Sequence, residues 1–332
     1  MKAKLIYVGL GALGVKVVRD LVDQNLHELA CAVDPAPRLQ GVSLADAVPG
    51  APDVPIYASL RDVPNLSSMD LAVVTTLSEL PACMPTFRTL LEAGCSVLST
   101  CEELVYPQLR YPDLANELSA LARLHQCAVM GTGINPGFLM DAFPLFASAL
   151  CRSISSIKVE RVQDASIRRI PFQKKIGAGC TPAQFHEALS GGGFGHVGLG
   201  ESLHLLAQGL GVELDQWQEV ISPVLATEPM ECGFGAIPTG GVTGIHQVAR
   251  GQKDGRCLIE LTFHAAIGAE NPRDRVIIDG DPPIEVSWGG GVHGDKTTSA
   301  VVINAVSSLL KAPAGLHNLT TLPGAPCKRV VD

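Results

Sequence analysis

Two adjacent carboxylates, Glu102 and Glu103, follow the apolar run Ser96-Val97-Leu98-Ser99 and the small residues Thr100 and Cys101. A carboxyl group at the end of a buried strand can exchange protons with an amine or a carbonyl, because burial disfavours its charged form and draws its titration toward neutrality. Either glutamate suits that work, and both suit the start of a solvated loop. A second group, Gly9-Leu10-Gly11-Ala12-Leu13-Gly14, separates the apolar segment Leu5-Ile6-Tyr7-Val8 from a helical pattern in which Leu13, Val17, Val18, Leu21 and Val22 share a face. Between a strand and a helix this spacing has a mechanism. Gly9 permits the tight turn, Gly11 lets the backbone approach a pyrophosphate, and Gly14 lets helix and strand pack closely. The helix start at Ala12 and Leu13 then presents its N–H groups to the anion.

Twenty residues beyond Gly14, Asp34 ends a second apolar run. An acid there accepts hydrogen bonds from the ribose hydroxyls of NAD and repels the extra phosphate of NADP. Arg38, four residues on in a proline-flanked loop, can hold that phosphate. NAD is favoured, with use of both cofactors open. Thr75 and Thr76 close the run Leu71-Ala72-Val73-Val74, and Thr100 follows the next. All three fall at strand carboxyl ends, where open α/β sheets bind ligands. After the run 127–130 comes Asn135-Pro136-Gly137-Phe138. Asn135 can bond a nicotinamide carboxamide or a substrate oxygen, Pro136 fixes the turn, and Phe138 offers an apolar wall; a purely structural Asx-Pro turn has the same composition.

Candidates for the substrate side lie further on. Phe143 and Phe172 can line an apolar pocket or fill a core. His196, in the glycine-rich run 191–198, and His264, between Phe263 and Ala265, can each face a pocket or be satisfied structural histidines. The glycine run lacks the following Lys-Ser/Thr of a phosphate cradle and reads as a mobile loop over the site. Arg168-Arg169 and Lys174-Lys175 can hold a substrate carboxylate, although exposed cations are the default. Thr297 and Thr298 are placed to cap the last helix and face the substrate.

The elements that must carry these residues follow from periodicity. Strands and helices alternate over the first 130 residues, which predicts a doubly wound parallel sheet of the Rossmann type. Beyond about residue 145 a strand over 154–161, helices over 182–189 and 201–211, and long β runs over 242–250 and 256–266 joined at Asp254-Gly255 predict an α+β domain with a mixed or antiparallel sheet. A final helix over 298–311 is apolar along Val301, Val302, Ala305, Val306 and Leu309. The expected division is a dinucleotide-binding domain, 1–142, completed by 297–332, and a substrate-binding and dimerisation domain, 143–296.

Composition narrows the classes. At 332 residues, 46% apolar and only 17% charged, the chain suits two packed domains. A net charge of −8 argues against phosphate-neutralising contact with nucleic acid. No apolar stretch reaches the roughly 20 residues that a membrane span needs. The N-terminus enters a strand without a leader, and ten cysteines without a C-x-x-C pair sit mostly in apolar segments, so a reducing, cytoplasmic setting is expected. No Cys/His set has metal-ligand spacing.

The glycine fingerprint, Ser99-Thr100-Cys101-Glu102-Glu103-Leu104, the run Gly131-Thr132-Gly133-Ile134-Asn135-Pro136-Gly137-Phe138 and Gly294-Asp295-Lys296-Thr297-Thr298 together resemble the 2,4-diaminopentanoate dehydrogenases and the related native amine dehydrogenases. The chain is more distantly similar to dihydrodipicolinate reductases, whose His-His pair it lacks. The resemblance implies NAD(P)-dependent oxidative deamination of an amine, or reductive amination of a ketone or aldehyde with ammonia. It also implies a homodimer formed through the second domain's sheet and one catalytic glutamate in the Cys-Glu-Glu run. That residue is taken as Glu102, where related homoserine dehydrogenases carry a functional lysine, with Glu103 as fallback. With few aromatics and no clear carboxylate clamp, a simple amine is the first expectation and 2,4-diaminopentanoate the second. A non-catalytic NAD(P)-binding sensor is the reading from another class.

Overall fold

The computed structural model describes residues 2–191, 195–322, 324–327 and 329. The chain divides into two units, 1–142 with 294–332, and 143–293. In the first unit, β1 (Lys4–Val8), β2 (Glu28–Val33), β3 (Ile56–Tyr57), β4 (Leu71–Val74), β5 (Ser96–Ser99), β6 (Ala128–Gly131) and β15 (Gly315–His317) form one sheet in the order β15-β6-β5-β4-β1-β2-β3. Every pairing in it is parallel. A parallel sheet is covered on both faces, which is why Leu5 to Val8 and Leu71 to Val74 are buried without interruption.

The two faces have separate cores. Leu5, Tyr7, Val73 and Met130 pack with α1 (Ala12–Gln24) and α9 (Gly294–Leu309). Ile6, Val8, Ala72 and Val97 pack with α3 (Leu80–Glu92) and α4 (Pro112–Leu124). The short α2 (Leu44–Ala47) lies between β2 and β3, with Leu44 in the first core. The last helix begins at Gly294, not at Thr298. Asp295 in its first turn supplies the negative charge that a helix start favours, so Thr297 and Thr298 lie inside the helix and do not cap it. The second junction between units therefore falls before Gly294, three residues earlier than expected.

The second unit holds α5 (Ala142–Ser148, from the junction), α6 (Ile170–Lys175), α7 (Pro182–Ser190) and α8 (Leu199–Gly209) beside a six-stranded sheet. That sheet is built from β7 (Ser153–Asp164), β8 (Gln216–Leu225), β11 (Val242–Lys253), β12 (Arg256–Ala266), β13 (Arg273–Asp281) and β14 (Ile284–Gly289), in the order β14-β13-β7-β12-β11-β8. β9 (Met230–Cys232) and β10 (Gly235–Ile237) make a separate small hairpin. Only β7 and β12 pair in parallel, so the sheet is mixed. The β11–β12 hairpin turns at Asp254 and Gly255, with φ of 52° and 71°, the left-handed pair that a two-residue hairpin requires. Residues 192–194 of the expected glycine loop lie outside the described residues. All ten cysteines are free thiols, and Cys257, expected in an apolar setting, is exposed.

Candidate active site

The glycine turn has the geometry that its spacing predicts. Gly9 has φ of 97°, and a Cβ there would lie 2.6 Å from the Thr75 carbonyl oxygen. A Cβ on Gly14 would lie 2.0 Å from the Gly9 oxygen. Gly11 differs: its φ is −68°, and a Cβ would meet no atom within 4 Å. The fold needs glycine at 9 and 14, and at 11 it leaves the space beside the turn open. Gly11 caps α1 without a side-chain bond, and the first turn of the helix carries no acid, so nothing anionic from the helix itself competes at its N-terminus.

Asp34 holds this turn from β2: its Oδ2 accepts the Leu10 N–H (2.7 Å) and its Oδ1 accepts the Ala36 N–H (2.8 Å). Each oxygen keeps a lone pair for a ribose hydroxyl. Arg38 is exposed in a short 3₁₀ turn. Thr75 is committed elsewhere. Its buried hydroxyl donates to the Gly9 oxygen (2.9 Å) and meets the Tyr7 hydroxyl (3.0 Å), so it braces the turn instead of offering itself to ligand. Thr76 is exposed beside it and Thr100 is half-buried.

Asn135 is the most informative polar group of this unit. It is 9% exposed, and neither Nδ2 nor Oδ1 has a hydrogen-bond partner among the described residues. A buried amide without partners costs on the order of 1–3 kcal/mol per unsatisfied group, a cost removed when a ligand carrying both a donor and an acceptor binds. The turn around it is held by buried Asp141, whose Oδ2 accepts the Gly137 N–H at 2.8 Å. Thr298 meets the same turn, its Oγ1 accepting the Ile134 N–H at 3.4 Å. Phe138 is half-buried.

The two glutamates lie in a 3₁₀ turn, Glu102–Val105, directly beyond β5. They are not equivalent. Glu103 is buried and its Oε2 accepts the Leu80 N–H at 2.7 Å, at the start of α3; the Tyr111 hydroxyl approaches Oε1 at 3.5 Å. Glu102 is half-buried beside it.

In the second unit the register sets a row of side chains across one sheet face: Trp288, Asp274, Arg161, Phe263, Gln247 and Ile221. Arg161 is 2% exposed; its Nη2 donates to the Val292 oxygen (3.1 Å), its Nε lies 3.7 Å from Asp274 Oδ1, and Nη1 has no hydrogen-bond partner among the described residues. Burial pushes the Arg161 guanidinium down to about 10, partly countered by Asp274, and burial raises the Asp274 carboxyl. His196 stacks on Phe263 (centroids 4.5 Å apart), and the Gln247 amide clasps its backbone at both ends. Burial, with Lys175 and Arg161 nearby, pushes His196 down to about 3, so it is a neutral imidazole near pH 7. Its Nε2 has no hydrogen-bond partner among the described residues.

His264 does not join this row. The strand alternation puts it on the opposite face, 3.4 Å from His246, among half-exposed ion pairs such as Arg273–Glu160 and Arg250–Glu260. Phe143 packs edge-on against Trp288, and Phe172 lies under the Arg168 guanidinium. Arg169 and both lysines, 174 and 175, are exposed. Arg161, Asp274, Gln247 and Asp141 were not anticipated. The available signal was parity: Arg161 shares its side of β7 with Ile157 and Val159, a buried face where a cation is out of place.

The family described as the 2,4-diaminopentanoate dehydrogenase C-terminal domain matches residues 138–329. The chain belongs to that family. Membership makes it an oxidoreductase, and the resemblance carried by the Cys-Glu-Glu and Asn-Pro-Gly-Phe runs is borne out. The chain is 29% identical over 331 residues to a 2,4-diaminopentanoate dehydrogenase of Acetoanaerobium sticklandii, covering 97% of this chain and 94% of that protein. An amine dehydrogenase structure from Mycobacterium smegmatis matches with a TM-score of 0.85 at 19% identity, over 99% of this chain and 98% of that one, which shows the fold. A WlbA dehydrogenase from Bordetella pertussis, solved with NADH and UDP-GlcNAcA, matches more loosely, with a TM-score of 0.55 at 14% identity over 95% and 91% of the two chains. Among the described residues no helix is long and apolar enough to cross a membrane, and no three His, Cys, Asp or Glu side chains form a metal-binding group.

Proposed function

We propose that the protein is a nicotinamide-dependent dehydrogenase acting reversibly on an amine: oxidative deamination in one direction, reductive amination of a ketone or aldehyde with ammonia in the other. The observation that carries this reading is Asn135, a buried amide with both atoms unpartnered in the unit that also leaves Gly11 clear. A nicotinamide carboxamide has the matching donor and acceptor. Gly9, Gly11 and Gly14 with the N–H groups of Ala12 and Leu13 would hold the pyrophosphate, and Asp34 the ribose. When bound, the nicotinamide supplies or accepts the hydride. NAD is favoured because Asp34 is held as an acceptor beside the glycine turn, where it would meet the ribose hydroxyls, whereas Arg38, which would hold an NADP phosphate, stands in solvent.

Glu102 acts as general base and acid. In the amination direction it takes a proton from the attacking ammonia nitrogen and returns one as water leaves the carbinolamine. Glu103 is set aside as the base because its carboxylate is committed to Leu80 N–H. On the substrate side, Arg161 favours a second reading within the same class. A buried guanidinium with an unpartnered Nη1 suits a carboxylate, as a diamino acid carries and a simple ketone does not. A homodimer through the charged outer face of the six-stranded sheet accompanies either reading, and sedimentation at micromolar concentration should give twice 34.8 kDa; a monomer there would remove it.

Glu102→Gln tests the chemistry. It should bind NADH normally and lose about 10²–10⁴-fold in turnover, the usual contribution of a positioned acid–base group. Wild-type turnover by this variant would overturn the assignment.

A further inference from the structure

We propose that Cys101 and Glu103 are positioning residues that bracket Glu102 and hold it against the start of α3. Both neighbours of Glu102 reach the same three-residue segment. The Cys101 thiol donates to the Ser78 carbonyl oxygen at 3.1 Å, and the Glu103 N–H donates to that same oxygen at 3.2 Å. The Glu103 carboxylate returns to the segment from the other side and accepts the Leu80 N–H at 2.7 Å. Cys101 and Glu103 are buried, and Glu102 between them is half-buried.

The helix start explains why an acceptor is needed at 103. The first N–H groups of a helix lack partners within the helix. The N-cap of α3, Glu79, makes no side-chain bond, and the first turn contains no acid of its own. Glu103 therefore supplies from another segment the acceptor that the N-cap side chain leaves missing, and adds its charge to that of Glu79 at the same helix end. Ser99 secures the other end of the turn: its hydroxyl donates to the Val74 oxygen (3.1 Å) and accepts the Cys101 N–H (3.0 Å). The Cys-Glu-Glu run is thus an anchor, a reactive group and a second anchor. This inference rests on Glu102 as the proton-transfer group, and it assigns its neighbours a role that neither proton chemistry nor cofactor binding requires.

The test compares Glu103→Ala, Glu103→Gln, Cys101→Ser, Cys101→Val and Glu102→Gln. Each is assayed with NADH, ammonium chloride and either cyclohexanone or 2-amino-4-oxopentanoate, alongside NADH titration by fluorescence and a thermal melt. Glu103→Ala should lower kcat about 10- to 100-fold, as a displaced reacting group does, with NADH affinity within about twofold of wild type. Glu103→Gln keeps an acceptor oxygen for Leu80 and should recover most of that loss. Cys101→Ser keeps a donor for the Ser78 oxygen and should exceed Cys101→Val in kcat. If Glu103→Ala does not fold, the glutamine variant and the Cys101 pair carry the comparison. A glutamine variant at 103 as inactive as Glu102→Gln would make Glu103 a proton carrier and overturn the inference, as would an unchanged kcat in Glu103→Ala or equal kcat in the two Cys101 variants. Activity retained by Glu102→Gln would instead defeat the underlying reading, whatever the variants at 101 and 103 do.

Discussion

Alanine at Gly11 and alanine at Gly14 should fail in opposite ways. At Gly11 the new methyl meets nothing within 4 Å and φ is −68°, an ordinary value for any residue. Alanine is a poorer N-cap than glycine by a few tenths of a kcal/mol up to about 1. The lost freedom of the unfolded chain returns about 0.4–1 kcal/mol, so the two nearly cancel. At about 2–4 °C per kcal/mol for a unit of this size, Tm should move by less than about 3 °C. The same methyl occupies the approach to the pyrophosphate, and NADH affinity should fall at least about 100-fold, or 2.7 kcal/mol. At Gly14 the methyl would lie 2.0 Å from the Gly9 oxygen, which is backbone and cannot swing aside. Overpacking of that kind costs about 1–3 kcal/mol or more, so Tm should drop by about 4 °C or further and the turn itself should distort. Thermal melts with and without NADH, and NADH titration by fluorescence, separate the two. If Gly11→Ala bound NADH within about threefold of wild type, the cradle would not be where the pyrophosphate sits.

Further outcomes follow from the second unit and from Asn135. Arg161→Lys keeps the charge but loses the guanidinium fork. KM for 2-amino-4-oxopentanoate should rise about tenfold or more while that for cyclohexanone is unchanged, and equal effects on both would remove the carboxylate role. Asn135→Leu removes an unpaired buried amide, so Tm should hold or rise while NADH affinity falls at least about tenfold; unchanged affinity would mean the amide serves something other than cofactor. His196 titrates at about 3 in the folded protein against an ordinary 6.5. Between those values the unfolded chain binds one more proton than the native one, so this residue makes stability fall with acidification, by about 2 kcal/mol between pH 6.5 and 5. Denaturant unfolding at pH 7.5 and 5.0 should show that loss shrinking in His196→Gln, and an identical loss in both proteins would place the imidazole in solvent.

The first unit was legible because its function is written in local chemistry. Glycine at 9 and 14, unbroken apolar strands and helical stripes are short-range patterns, and each produced the element it implies. Roles that depend on register were hidden. Nothing local separates Glu102 from Glu103; only the approach of α3 shows that one carboxylate is committed to a backbone N–H. Thr75 read as a ligand contact because it ends a strand, yet Tyr7 and the Gly9 oxygen claim its hydroxyl. His264 is one residue from Phe263, and that single step turns it to the other face of the sheet. Arg161 escaped notice for a related reason: the exposed Arg and Lys pairs stand out in the sequence, while Arg161 sits among apolar residues with the parity of the core. The start of the last helix was missed because Gly294 was read as loop, although Asp295 suits a first turn.

The central claim is tested most directly by NADH and NADPH oxidation at mildly alkaline pH with excess ammonia, across cyclohexanone, small aliphatic ketones and aldehydes, and 2-amino-4-oxopentanoate. The account predicts oxidation that requires both ammonia and a carbonyl compound, faster with NADH, and confined to the amino-oxo acid if Arg161 selects for a carboxylate. Nucleotide binding without turnover across the whole panel would contradict it and leave a cofactor-binding protein of another kind.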